Sequence, residues 1–286
     1  MQQIGIDDPQ WLTTLPQVVS PRDDEWLGGL LLRCDAANGW ASRTTVAHLM
    51  RVVKKRMREA WRSDLPNLIV WGKTAGYLHG LAQLLALTPQ QVRATTYTDE
   101  LVRLFGLRKV NATLLTLSFS FQLCPACIAE ERLLRRVLVL PYVVVCPEHQ
   151  LALQNSCQCG AALRLFSKHM APFRCAQCGA DWGSLPRQGV RSDQLALTEQ
   201  VLSWYRFFLT EGTPAVVLRA RALLSQYPIH QDGRLREVAS ATGEVRKRSS
   251  YPHQVLPLPL GKLVGSLVER ELVLDDSIRD YLTTGA

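Results

Sequence analysis

Between residues 124 and 178 the chain carries four close pairs of soft metal ligands: Cys124-Pro125-Ala126-Cys127, Cys146-Pro147-Glu148-His149, Cys157-Gln158-Cys159-Gly160 and Cys175-Ala176-Gln177-Cys178-Gly179. Seven of the eight cysteines lie in this window. Zinc takes four such ligands in a tetrahedron, and two turns offering two ligands each are the usual way to close it. Eighteen residues separate the first two pairs and fifteen the last two, a ribbon-like zinc spacing. Gly160 and Gly179 follow the second cysteine of their pairs, where glycine permits the tight, left-handed turn that brings N–H groups toward a thiolate.

The pattern predicts two Zn2+ per chain. A tandem arrangement makes one site of Cys124, Cys127, Cys146 and His149 and an all-thiolate site of Cys157, Cys159, Cys175 and Cys178. A cross-braced arrangement pairs the first set with the third and the second with the fourth. Tandem pairing is the simpler, since each set closes a local hairpin before the next begins. Both sites read as structural, because a catalytic zinc keeps one position open for water. A zinc deaminase would show His-x-Glu ahead of Pro-Cys-x-x-Cys, and none of the six histidines is followed by that x-Glu.

With 286 residues, 47% of them hydrophobic, the chain can build real cores in about two domains. Disulfides need an oxidising compartment, and Met1 to Gln10 lacks the basic-then-apolar pattern of a secretory signal. The longest apolar run, Val137 to Cys146, contains Pro141 and is too short to span a bilayer. A cytoplasmic chain with no membrane partner and with metal-bound cysteines is expected. The net charge of +8 favours an acidic partner such as nucleic acid.

The rest of the chain reads as helical. Asp23 to Cys34 carries Trp26, Leu27, Leu30 and Leu31 on one face, with Asp24 and Glu25 in its first turn and Asn38-Gly39 as the stop. Cys34 reads as a small core residue. Ser42 or Thr44 can cap the next helix, which runs to about Arg62. Its apolar face is Val46, Met50, Val53, Met57 and Trp61. Arg51, Lys54, Lys55, Arg58 and Arg62 form a stripe on the other side, either a solvated face or a contact strip for phosphates or an acidic protein surface. Gly72-Lys73-Thr74 resembles the end of a phosphate loop, but Asn67 stands where that loop needs glycine.

From Thr74 to Phe105 the text reads helix, turn, helix, helix, with Thr88 as cap and Pro89 at the first helical position. This is helix-turn-helix geometry. The would-be recognition helix, Pro89 to Thr96, offers only Gln90, Gln91 and Arg93 as base readers, which favours a protein interface over DNA reading. Arg132, Arg135 and Arg136 form a small basic patch, and Val143 to Val145 reads as a strand. Gly183 to Gly189 reads as a linker. Beyond it come an amphipathic helix ended by Gly212, a second helix from Pro214, a basic cluster Arg246-Lys247-Arg248, and helices at about Leu260 to Leu272 and Ser277 to Leu282. The expected fold is mostly α with small zinc-ribbon modules: an N-terminal helical domain with a helix-turn-helix (1–120), two tandem zinc-binding modules (121–185) and a C-terminal helical domain (190–286).

Three stretches together resemble the TniQ/TnsD family of transposon target-site selection proteins. They are Leu15-Pro16 … Asp24-Glu25-Trp26-Leu27 … Leu32-Arg33 … Asn38-Gly39, the Leu78 to Thr95 helix-turn-helix, and the ligand window with Leu140-Pro141 and Leu151. The chain departs from the family in having Leu133, Leu134 and Leu138 where aromatics are common, and Cys157-x-Cys159 for Cys-x-x-Cys. Its C-terminal part is shorter than in relatives that read a fixed attachment site. The resemblance implies a short TniQ of a CRISPR-associated transposon. Such a protein is a non-enzymatic adaptor for target-site selection. It joins an RNA-guided CRISPR effector with its guide RNA to the AAA+ transposition ATPase (TnsC/TniB-like), meets DNA through that complex, and has self-association as a homodimer open to it. In that role Gln91 and Arg93 would face the effector or a second copy, and Arg132, Arg135 and Arg136 the ATPase or nearby DNA. The alternative of another class is an autonomous zinc-ribbon and helix-turn-helix DNA-binding protein.

Overall fold

The computed structural model describes residues 14–52, 75–105, 121–167, 170–226 and 260–284. The basic positions Lys54, Lys55, Arg58 and Arg62, the stretch around Gly72 and the cluster Arg246 to Arg248 lie outside these residues, as does the side chain of Arg51. The N-terminal helices are α1 (Leu27–Ala37), α2 (Thr44–Val52), α3 (Ala75–Leu84), α4 (Pro89–Ala94) and α5 (Thr98–Phe105). Then come α6 (Pro125–Glu131) and two short 3-10 helices, Arg136–Val139 and Trp182–Ser184. The C-terminal set is α7 (Ser192–Thr210), α8 (Pro214–Gln226), α9 (Leu260–Glu269) and α10 (Asp276–Thr284). β pairing among the described residues is confined to isolated bridges such as Val145 with Ala152. The expected strand at Val143 to Val145 is therefore a single bridged residue, flanked by hydrogen bonds from the Cys146 N–H to Leu151 and from the Leu153 N–H to Val144.

Helix α1 begins later than the sequence pattern predicts. Asp24 sits at φ 55°, and Glu25 is buried ahead of the helix. One Glu25 oxygen accepts from the Arg33 guanidinium at 2.7 Å and from the Arg22 N–H at 3.0 Å. The open N–H groups at the helix start go to distant carbonyls: Trp26 donates to Leu134 and Leu27 to Thr95. The helix ends as expected, with the Asn38 side chain donating to the Cys34 carbonyl at 2.8 Å and Gly39 at φ 65°. Cys34 is fully buried.

Neither expected residue caps α2 by itself. The Asp35 carboxylate, reaching from α1, accepts from the Arg43 N–H at 2.9 Å and from the Thr45 N–H and hydroxyl, both at 2.7 Å. Ser42 is spent elsewhere. Its N–H donates to Met170, its hydroxyl donates to Leu165, and the Ser167 N–H donates to that hydroxyl. Gly28 faces the same region, where an added Cβ would lie 2.8 Å from the Trp26 ring and 2.9 Å from Leu165.

The C-terminal helices close on the N-terminal ones. α5 packs against α7 and α8, α9 against both of these, and α10 against α8. The Arg103 guanidinium donates to the Leu209 and Thr210 carbonyls at the end of α7, where the helix dipole favours a cation. Trp204 donates its indole N–H to Leu272 at 3.0 Å. One apolar cluster runs from Leu15 through the zinc window to Leu282. Within it Trp26, Trp182 and Trp204 are fully buried, each contributing on the order of 2–3 kcal/mol by removal from water. The expected linker begins inside this core. Gly183 sits against the Ala129 backbone, where a Cβ would come within 2.9 Å, and Leu185 is buried.

Candidate metal centres

Cys124 is the residue before α6, and Pro125 at the first helical position sets the backbone there. One turn on, Cys127 faces the same point. The second pair comes from the turn after Val145, where the Gln150 N–H donates back to Cys146 at 2.8 Å and Gln150 takes φ 51°. These two pieces bring four ligand atoms within 4.8 Å of one another. His149 Nδ1 lies 3.3 Å from Cys127 Sγ, 3.6 Å from Cys146 Sγ and 3.7 Å from Cys124 Sγ, and the Cys127 and Cys146 sulfurs are 3.7 Å apart. A tetrahedron with bonds of about 2.3 Å to sulfur has sulfur–sulfur edges near ~3.8 Å, so the four atoms fit one Zn2+.

The second centre is built from two matching turns. Gly160 donates to Cys157 at 2.9 Å and Gly179 to Cys175 at 3.0 Å, at φ 82° and 74°. Cys157 and Cys178 are 3.6 Å apart and Cys159 and Cys175 3.7 Å apart. Burial works to raise the Cys175 thiol, but the N–H groups of Cys178 and Gln177 outweigh it and bring it down to about 7. A thiolate is the form a zinc ligand needs. Cys157 and Cys175 are buried, whereas Cys159 and Cys178 are exposed. The protein thus has two zinc sites, and the ligands group in tandem.

Two residues that the spacing did not single out complete the first centre. His149 turns its other nitrogen, Nε2, to Glu130 Oε2 at 2.9 Å. A carboxylate there fixes the imidazole tautomer and raises its basicity toward a metal on Nδ1. Glu130 lies three residues after Cys127 on α6, on the same helix face, which is the signal that could have found it. Arg135 packs beside Cys127. Burial works to lower its pKa, but the thiolate and Glu148 more than offset this and hold it above its ordinary value. A cation there offsets the negative charge of three thiolates around one divalent metal.

The three arginines expected to form one patch diverge. Arg132 pairs with Asp181 at 2.7 Å, joining α6 to the second zinc module. Arg135 lies 3.8 Å from Glu148. Arg136 reaches the N-terminal helices, pairing with Glu100 at 2.9 Å, donating to the Thr96 carbonyl at 2.5 Å and covering the Tyr97 ring at 4.6 Å. On α4 the Thr88 hydroxyl accepts from the Gln91 N–H, and the Gln91 side chain accepts from the Thr88 N–H at 2.8 Å. Arg93 lies 3.4 Å from Asp99.

The TniQ family model matches residues 16–153, just under half of the chain. The matched stretch runs from the lead-in of α1 through the helix-turn-helix and the first zinc centre, and stops before the second. No curated protein matches the chain. No described helix is long and apolar enough to cross a membrane.

Proposed function

We propose, from the premise that residues 16–153 of this chain belong to the TniQ family, that the protein is a non-enzymatic transposition adaptor. The family consists of transposition target-selection proteins, and the finer reading is that this one links an RNA-guided CRISPR effector to the AAA+ transposition ATPase. One observation carries that reading. The would-be recognition helix α4 has six residues, and two of its three readers, both exposed, already have partners in the chain: Gln91 closes the capping box and Arg93 lies 3.4 Å from Asp99. Base readout needs side chains free to reach base edges. A short helix occupied in this way supports a protein-docking surface, with Gln91 and Arg93 at its rim facing the effector or a second copy. The stripe Arg51, Lys54, Lys55, Arg58 and Arg62 is the proposed contact for guide RNA or DNA held in the complex. Arg132, Arg135 and Arg136 are engaged within the chain and enter this reading as internal ties.

The test is DNA binding by the zinc-loaded chain alone across a salt series. An adaptor binds weakly and with little sequence preference near ~0.15 M salt. An autonomous reader would show affinity of about 10 nM or tighter, at least ~10³-fold discrimination over other sequences and a steep salt slope. That outcome would replace the adaptor reading with the autonomous one.

A further inference from the structure

The two zinc centres differ in how far solvent can reach their sulfurs. In the first, Cys124 and Cys146 are fully buried and Cys127 is 2% exposed. In the second, each turn gives one buried cysteine, Cys157 or Cys175, and one exposed, Cys159 or Cys178. Buried and exposed cysteines pair across the turns: Cys178 lies 3.6 Å from Cys157, and Cys159 3.7 Å from Cys175. Spacing does not separate the centres, since Cys127 and Cys146 are also 3.7 Å apart. Access does. An accessible thiolate beside a second, resolving thiolate is the layout of an oxidisable pair, and only the second centre has it.

The chain between these two turns is also tied to the N-terminal helices. The Gly179 turn packs on Met170, whose methyl would lie 3.2 Å from a Cβ added there. The Met170 carbonyl accepts from the Ser42 N–H at 2.8 Å. The Ser42 hydroxyl donates to Leu165 and accepts from the Ser167 N–H. Helix α2 is capped separately by Asp35, so this tie can open while the helix stays folded.

We propose that the second centre is a peroxide-sensitive zinc site, and that losing its zinc releases Ser42 from the module. The exposed thiolate of Cys178 or Cys159 takes one peroxide oxygen to become a sulfenic acid, and the other oxygen leaves as hydroxide and is protonated to water. The thiolate of the buried partner attacks that sulfur. The S–S bond forms, and a second hydroxide leaves and is protonated. Two thiolates thereby give two electrons to the peroxide, which with two protons becomes two waters. Two of the four ligands no longer carry the charge that holds Zn2+, and the metal leaves.

The experiment treats the full-length, zinc-loaded chain with hydrogen peroxide, follows released zinc with a chromophoric chelator, and locates disulfides by peptide mass mapping. One equivalent is expected to leave at least ~10-fold faster than the other, with a disulfide joining Cys157 to Cys178 or Cys159 to Cys175. Thiol reductant and added zinc should restore two equivalents. Hydrogen exchange at the Ser42 and Ser167 amides should rise once the first equivalent is lost, while α7 stays protected. Release of both equivalents at one rate, a first disulfide at Cys124, Cys127 or Cys146, or retention of both equivalents in excess peroxide would overturn the proposal. Unchanged exchange at Ser42 after zinc is lost would overturn the release.

Discussion

Replacing Arg136 with alanine should destabilise the whole chain rather than remove a partner contact. Its guanidinium holds Glu100 at 2.9 Å and the Thr96 carbonyl, and stacks on the buried Tyr97 ring at 4.6 Å. A hydrogen bond to a charged group contributes about 1.5–3 kcal/mol and a cation–π contact about 0.5–2 kcal/mol. Arg136 and Glu100 are 23% and 20% exposed, so solvent screens part of the ion pair and the lower halves of those ranges apply. The expected loss for Arg136→Ala is about 3 kcal/mol. Arg136→Lys keeps the charge without the planar fork and should lose about 1–2 kcal/mol. Urea unfolding of the zinc-loaded protein, read by tryptophan fluorescence, gives both values, and a double-mutant cycle with Glu100→Gln isolates the pair. A loss below about 0.5 kcal/mol for Arg136→Ala, with zinc content intact, would refute the claim that this arginine ties the zinc region to the N-terminal helices.

Three further outcomes are expected. Glu130→Gln takes the carboxylate from His149 Nε2 and should weaken zinc at the first centre about 10-fold in chelator competition, while an unchanged affinity would leave Glu130 without a role. Cys146→Ala should lower zinc content from two equivalents to one and shift a single cooperative unfolding transition, because one apolar cluster spans the chain; C-terminal helices that melt as in wild type would contradict this. Burial pushes the Asp35 carboxyl up to about 6, so the native chain keeps a proton that the unfolded chain releases. Its contribution is fully present below about pH 4, is lost as pH rises through about 6, and costs about 3 kcal/mol at neutrality. The stability of wild type minus that of Asp35→Asn should therefore fall between about pH 4 and 6 and level off above that, and a constant difference would contradict the assignment.

The zinc ligands were legible because metal binding writes itself locally, as residue types at fixed spacing. The tandem grouping was not, since either pairing satisfies the same spacing and only packing decides. The Thr88 cap and Pro89 start of α4 were readable for the same local reason. The errors fall where distant contacts outweigh local preference. Glu25 looks like a first-turn acid, but Arg33 draws it into the core ahead of the helix. Ser42 looks like a cap, but the second zinc module takes its hydrogen bonds. Val143 to Val145 has strand composition, but its pairing across the ligand turn reaches only one bridge, Val145 with Ala152. Arg132, Arg135 and Arg136 are neighbours in sequence, yet a left-handed residue at Arg132 (φ 54°) and the 3-10 turn at Arg136–Val139 send them to different acids.

The most direct measurement of the adaptor account is reconstitution of the guide-loaded effector, this chain and the AAA+ ATPase on target DNA, read as assembled mass. The account predicts that the ATPase joins the effector only when the zinc-loaded chain is present, and that removing zinc with a chelator abolishes the joint complex. An ATPase that joins the effector equally well without the chain would contradict it.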